Sequence, residues 1–271
     1  MIALTENKSI WEFKLMQTYR GEVCSFTTSR HGGVSSGNYG SFNLGIHTSD
    51  DPACIEKNLS ILKESLPVKP TTLVIPHQAH SDEVLVIDES YLQSSEEERK
   101  QMVEGKDALI TRETGVSLCI TTADCIPLVF FDRTHHAVAV AHAGWRGTVK
   151  RIGRKTLEQM SQLFGTEGKD VLACLGPGIS LAGLEVGDEV YDAFRQVGFP
   201  MERISEWKRH THKYHINLWL ANRIQLTEFG IPENQIEMSG ICTYMHYQDF
   251  FSARRLGAES GRMLTGIFLT E

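Results

Sequence analysis

Apolar and polar positions alternate with a period of two in "EVCSFTTSR", residues 22–30, which predicts a strand. Downstream, "DPACIEKNLSILKESL" changes period: Ile55, Leu59 and Leu62 recur at helical spacing behind an Asp-Pro start, so a helix is expected. "TTLVIP" and "DEVLVID" read as two strands flanking a short polar segment, "PHQAHSDEV". The run "SSEEERKQMVEG" is a charged, partly helical, solvated connection. "VSLCITTADCIPLVFFD" followed by "HHAVAVAHAGW" carries the richest β signal. Beyond it, Val149, Ile152, Met160 and Leu163 form an apolar stripe that Gly165 can terminate. "DEVYDAFRQVG" and "NLWLANRIQLTEFG" predict two further helices, each ending at glycine. No internal repeat, low-complexity tract or Pro-rich linker interrupts the chain. The expected fold class is α+β, with mixed or antiparallel sheets, in one domain spanning residues 1–271.

A two-residue turn centred on Arg133 and Thr134 would pair the strands around it so that Cys125 lies opposite His142. Their β-carbons would then be roughly 5 Å apart, near enough to share a metal or a proton. The turn lacks the favoured Asn-Gly pair, and a slip of one residue would send the two side chains to opposite faces. Thiolate and neutral imidazole are both good zinc ligands, and one more donor completes a set that leaves a coordination position open. His80, between two strand-like runs, can supply it from the rim of the same sheet. Such a site describes catalytic rather than structural zinc, because it can acidify a bound water. The plainer reading of Cys125 stands beside it: a cysteine in an apolar strand is usually a packed thiol.

Composition narrows the function classes. Hydrophobic residues make up 41% and charged ones 23% of the 271 positions, ordinary values for a soluble globular protein. No apolar run reaches membrane length, and "MIALTENKSIWEFK" lacks the basic start and apolar stretch of a secretory signal, so a cytoplasmic protein is expected. A net charge of −7 without a basic block argues against nucleic acid or an anionic membrane as partner and favours a small molecule. No protein partner is legible. The six cysteines form no C-x-x-C pair, which speaks against a disulfide framework or zinc knuckle and leaves most of them as buried thiols.

The motifs "HQAH", "TTADCIPLVF", "AHAGWRGT", "GPGIS", "LEVGDEV", "NLWLANRIQL" and "FFSARRLGAESGR", in this order, resemble the YfiH-like, laccase-domain proteins described as purine nucleoside phosphorylases. "TTSRHGGVSSGNYGSFNLGIHTSDDP" is similar to the N-terminal pattern of that family, so the resemblance runs from about Ser25 to about Arg262. It implies zinc held by His80, Cys125 and His142, with His77 as a packing or hydrogen-bonding neighbour. It also implies phosphorolysis of adenosine, inosine, guanosine and methylthioadenosine, together with adenosine deamination. The implied architecture is α/β/β/α, mixed sheets between helical outer layers, similar to the cytotoxic necrotising factor catalytic domain. Departures fall at Gly178, Ala182, Leu184 and Asn217, which flank the ligand motifs without touching them.

Other residues carry two readings each. Asp124 either caps a turn or moves a proton beside Cys125. Arg146, four residues after His142, pairs with a surface carboxylate or holds phosphate in two-pronged fashion, and Arg30 in a Gly-rich loop is a second phosphate candidate. Asn43 and Gln78 suit a purine or ribose edge, or satisfy backbone groups. Gly144 and Gly147 cradle an anion at a helix start or simply permit a turn. "RHTHKYH", with His210, His212 and His215, reads as a solvated loop rather than a second metal site. Three rivals to a zinc phosphorylase remain: a copper (Cu2+) polyphenol oxidase, a metal-free hydrolase with Cys125 as nucleophile and His142 as base, and a noncatalytic nucleotide-binding module. The H-x-E and P-C-x-x-C signature of known zinc deaminases is absent from the sequence.

Overall fold

The β-rich run at residues 116–143 divides between two sheets. The computed structural model describes residues 1–270 and contains two six-stranded sheets and a small three-stranded one. The first sheet runs in the order Ile2–Ala3, Ile10–Glu12, Val23–Thr28, Met263–Leu269, Val116–Thr122, Thr72–Val74. The second runs Ile236–Met238, Val171–Leu175, Ile126–Asp132, Ala137–Ala143, Ala108–Thr111, Val84–Ile87. Pairing is antiparallel in the middle of both sheets, and Thr72–Val74, Ile236–Met238 and Val84–Ile87 add in parallel at edges. The expected mixed-sheet α+β class is therefore observed.

Side-chain parity explains why the central strands of the second sheet are almost wholly apolar rather than alternating. In Ile126–Asp132, Ile126, Leu128 and Phe130 face a core shared with helices, while Val129 and Phe131 face the core between the sheets. Ala137, Ala139, Ala141 and Ala143 of the next strand face the helices, and their small size lets the helix Ile152–Phe164 lie close. Val138 and Val140 meet Leu118 and Ile120 of the first sheet. On the outer face of the first sheet, Phe26, Cys119, Leu264 and Phe268 pack with Leu62 of the helix Pro52–Ser65. The layers are thus helix, sheet, sheet, helix, and a strand covered on both faces has no solvated side to read as polar.

Helix ends follow local chemistry. Asp51 caps Pro52–Ser65, Ser95 and Glu98 form a capping box on Glu96–Met102, and Asn217 caps Leu218–Glu228 by accepting from the Leu220 N–H. Gly165, Gly198 and Gly230 adopt positive φ where three helices stop, as expected. The stripe from Val149 to Leu163 is not one helix: Arg151 takes φ 63°, which breaks it into Trp145–Val149 and Ile152–Phe164. Leu163 is 49% exposed, and Leu157 takes its place in the core. His215 also departs from the expected loop. It lies buried in the strand Lys213–Ile216 and donates from Nδ1 to the Leu181 carbonyl, while His210 and His212 stay exposed.

The hairpin register corrects the expected opposition of Cys125 and His142. Asp132 pairs with Ala137 across a four-residue loop, so His142 sits opposite Pro127 and Cys125 precedes the strand. The Asp132 carboxylate widens the loop by accepting from the Thr134 and His135 N–H groups, each at 3.0 Å, and from His135 Nδ1 at 2.8 Å. The offset is two residues. Because side chains alternate with period two, Cys125 and His142 keep the same face and become diagonal neighbours.

Core assignment gives a direct contrast in stability. Met160→Ala should cost about 2 to 5 kcal/mol, since Met160 is fully buried, whereas Leu163→Ala should stay within about 1 kcal/mol. Urea denaturation midpoints of the two variants check this.

Candidate metal centre

Two of the chain segments that cross from the first sheet to the second carry His80 and Cys125. His80 lies between Thr72–Val74 and Val84–Ile87, and Cys125 between Val116–Thr122 and Ile126–Asp132. His142 continues the face of Val138 and Val140, so it enters the same region at the rim of the inter-sheet core. One ligand atom from each of the three lies within 4.8 Å of the others. The imidazoles of His80 and His142 meet edge to face at 4.8 Å, and the Cys125 Sγ is 3.9 Å from His80 Nε2.

Each crossover is pinned. His80 has φ 56°, an uncommon conformation for a non-glycine residue. Asp107, fully buried, accepts from the N–H groups of Ala79 and Ser81 on either side of His80, at 3.0 and 2.7 Å, and from the Ser81 hydroxyl. Its other oxygen accepts from His142 Nδ1 at 2.7 Å, which leaves Nε2 of that ring for the cluster. Gln78 holds the same segment to the first sheet: its amide donates to the Thr121 carbonyl and accepts from the Thr121 N–H and hydroxyl. On the second crossover Asp124 has φ 89°. Its carboxylate accepts from the Thr243 hydroxyl and the Arg254 N–H, and its carbonyl from the Ile179 N–H. A Cβ on Gly178 would press on the Ile126 Cδ1 and stand 3.0 and 3.2 Å from the Asp124 and Cys125 carbonyl oxygens, so the glycine lets the "GPGIS" loop brace this turn closely.

The charges in the cluster are coupled. Burial alone would raise the Cys125 pKa, but the charge and hydrogen bonds of His142 and His80 outweigh it and lower the thiol to about 6. Burial would also neutralise His142, yet Cys125 and Asp107 raise it to about 10. Asp107 is held below the usual carboxylate range despite burial, by His142 and by the Ser81 hydrogen bonds. The metal-free pair is therefore a thiolate beside an imidazolium. Cys24 and Cys119, buried without such neighbours, are pushed up to about 12 and are inert.

A cavity of about 330 Å³ opens over the cluster, lined by His80, Cys125, His142, Gln78, His47, His77, Thr48 and Arg262 among others. The other residues singled out in the sequence lie outside its walls. Arg146 is exposed with its guanidinium 4.3 Å over the Trp145 ring. Arg30 donates to the Gly40 and Tyr247 carbonyls and stacks on Phe251. Asn43 is fully buried, with its amide spent on Thr48, Asp50, Gly45 and Arg262, so it shapes the wall from behind. Asp124 likewise has both carboxylate oxygens engaged within the protein. His77 donates from Nδ1 to Glu104 at 2.7 Å and its ring lies 4.2 Å from that of His47. No local sequence signal marks Asp107 or Arg262 as site residues. Only the pairing of Ala108–Thr111 with Ala137–Ala143 reveals the first, and only the placement of the C-terminal strand reveals the second.

Residues 24–270 match the family model described as multi-copper polyphenol oxidoreductase laccase. The chain belongs to this laccase-like YfiH family. It is 49% identical over 269 residues to a Bacteroides thetaiotaomicron protein named purine nucleoside phosphorylase, covering 99% of each chain. It is 40% identical to adenosine deaminase RL5 from an unknown prokaryotic organism, over 91% of this chain and 94% of that one. The crystal structure of YlmD from Geobacillus stearothermophilus superimposes with a TM-score of 0.85 at 31% identity, covering 94% of both chains.

Within this family fold the cluster has the chemistry and space of a metal site. One thiolate and two imidazoles make a compact donor set, and Asp107 orients one of the rings from behind. A Cβ on Gly144 would stand 2.8 Å from the Cys125 Sγ and 3.1 Å from His80 Cδ2, so the absent side chain keeps the centre open.

Two outcomes follow for metal binding. Asp107→Asn should weaken it about 10- to 100-fold, since the bond that orients His142 and the anchors flanking His80 are weakened together. A metal ligates thiolate and neutral imidazole, so between about 6 and about 10 loading displaces the one proton held on His142. Affinity should therefore rise about tenfold per pH unit across that window and fall more steeply below it, where Cys125 also holds a proton. Chelator competition at several pH values measures both effects.

Proposed function

We propose that this chain is a zinc-dependent purine nucleoside phosphorylase that also deaminates adenosine, acting on adenosine, inosine, guanosine and methylthioadenosine in the cytoplasm. The observation that carries this reading is the convergence of His80, Cys125 and His142 in one cavity of a chain 49% identical to a purine nucleoside phosphorylase. The six free cysteines accord with a reducing compartment.

Zinc would be held by His80, the Cys125 thiolate and His142 Nε2. When bound, it supplies Lewis acidity and a more acidic water at neutral pH. The protein's own contribution is geometric and electrostatic. Asp107 keeps the His142 donor turned toward the cluster, and Gln78 and Asp124 fix the two crossovers on which His80 and Cys125 ride. In phosphorolysis a phosphate oxygen bonds to the ribose C1′ while the C1′–N9 bond breaks and its electron pair passes to the purine. A walled cavity orients these partners and limits competing attack by water.

The Cys125, His142 and Asp107 arrangement favours one second reading, a metal-free hydrolase with Cys125 as nucleophile. Incubation of pure protein with adenosine, with and without phosphate, separates the two. The phosphorylase should release adenine and ribose 1-phosphate only with phosphate, form inosine and ammonia without it, and lose both activities to a chelator. Cys125→Ala should lose bound zinc together with both activities; full zinc content and turnover in that variant would overturn the assignment.

A further inference from the structure

We propose that Arg262 is the oxyanion seat of this cavity and holds the inorganic phosphate that attacks the nucleoside. The proposal rests on the phosphorylase reading for the identity of the anion. Its basis is the one Lys or Arg side chain among the lining residues described, in a wall that contains no Asp or Glu although the chain carries 34 of them.

The guanidinium is built into place. Nη1 donates to the carbonyls of Ser260 and Gly261 and to the Ser260 hydroxyl, and Nη2 donates to the Ala258 carbonyl at 2.9 Å. Among the described residues Nε–H has no hydrogen-bond partner, Nη2 has one partner for its two protons, and no carboxylate lies within ion-pair distance of the group. Burial disfavours the charge of Arg262 and outweighs the favourable charges of Cys125, Asp124 and Glu259, none of which is in direct contact with it, so a bound anion would offset a remaining cost.

Its support is equally specific. Asn43 Oδ1 accepts from both the Arg262 and the Gly45 N–H, and Gly45 leaves room for the arginine stem, since a Cβ there would lie 2.8 Å from Arg262 Cγ. The Asn43 amide also positions Thr48, another lining residue. The nearby acids are occupied: Asp124 by Thr243 and the Arg254 N–H, and Glu259 by the Tyr39 hydroxyl. A fixed guanidinium with spare donors suits a phosphate oxygen pair.

Calorimetry with inorganic phosphate, on protein as isolated and after chelation, reads the seat without any turnover. Arg262→Met should weaken phosphate binding about tenfold or more, with Arg262→Lys intermediate and Arg146→Met close to the parent protein. In parallel, Arg262→Met should raise the phosphate KM for adenine release about tenfold or more while changing phosphate-free inosine formation less than about threefold. Phosphate affinity within about twofold of the parent in Arg262→Met with full metal content overturns the proposal. So does Arg262-dependent binding of adenosine 5′-monophosphate without binding of free phosphate, which would assign the anion to the substrate. Absence of nucleoside turnover with Arg262-dependent phosphate binding overturns the enzymatic reading instead and leaves the oxyanion seat in place.

Discussion

The candidate site depends on the buried carboxylate of Asp107. It is fully removed from solvent, yet both oxygens are occupied by donors from two separate segments. A buried charge left unpaired is expensive, so each lost donor destabilises the remaining arrangement rather than merely removing one contact. The crossover bearing His80 and the strand bearing His142 are thereby made dependent on one another. Asp107 also fixes which imidazole nitrogen is available, because His142 Nδ1 is committed to it.

Two-sided burial decides where such a group can exist. The central strands present mainly apolar residues to the helices and to the opposite sheet, and the polar side chains among them are small hydroxyls such as Thr27 and Thr265, so no titratable cluster forms in mid-sheet. It becomes possible where the strands end and the chain passes from one sheet to the other. His80 and Cys125 are both on such passages, and His142 and Asp107 stand at the ends of neighbouring strands. The positive φ values of His80 and Asp124 belong to the same constraint: the chain must turn sharply there, and hydrogen bonds to flanking groups hold the turns.

The sequence makes the candidate ligands legible because their motifs are contiguous, and it makes most helices legible because Asp51, Asn217 and the terminal glycines mark their ends locally. Leu163 misled because periodicity was carried across Arg151, where the backbone leaves the helix and the phase resets. The hairpin register was displaced because the Asp132 side chain builds a longer loop than a two-residue turn allows. The juxtaposition of Cys125 and His142 survived that displacement since an even offset keeps a side chain on its face. Asn43 and Gln78 were visible as amides, but the partners that consume or position them come from distant segments.

Arg262 shows the limit of reading charge from neighbouring sequence. Arg146 follows a metal-ligand candidate by four residues, yet it lies on the first turn after Gly144 and stacks over Trp145 at the surface. Arg262 is 120 positions beyond His142 by their numbering, and reaches the cavity because the C-terminal strand Met263–Leu269 inserts between Val23–Thr28 and Val116–Thr122. That insertion brings Arg262 against the Asn43 loop and beside the passage carrying Cys125. The net charge of −7 describes the outer surface and long-range field of the chain. The local field in the cavity is set by which side chains line it, and topology places an arginine there while leaving the carboxylates behind or outside the wall.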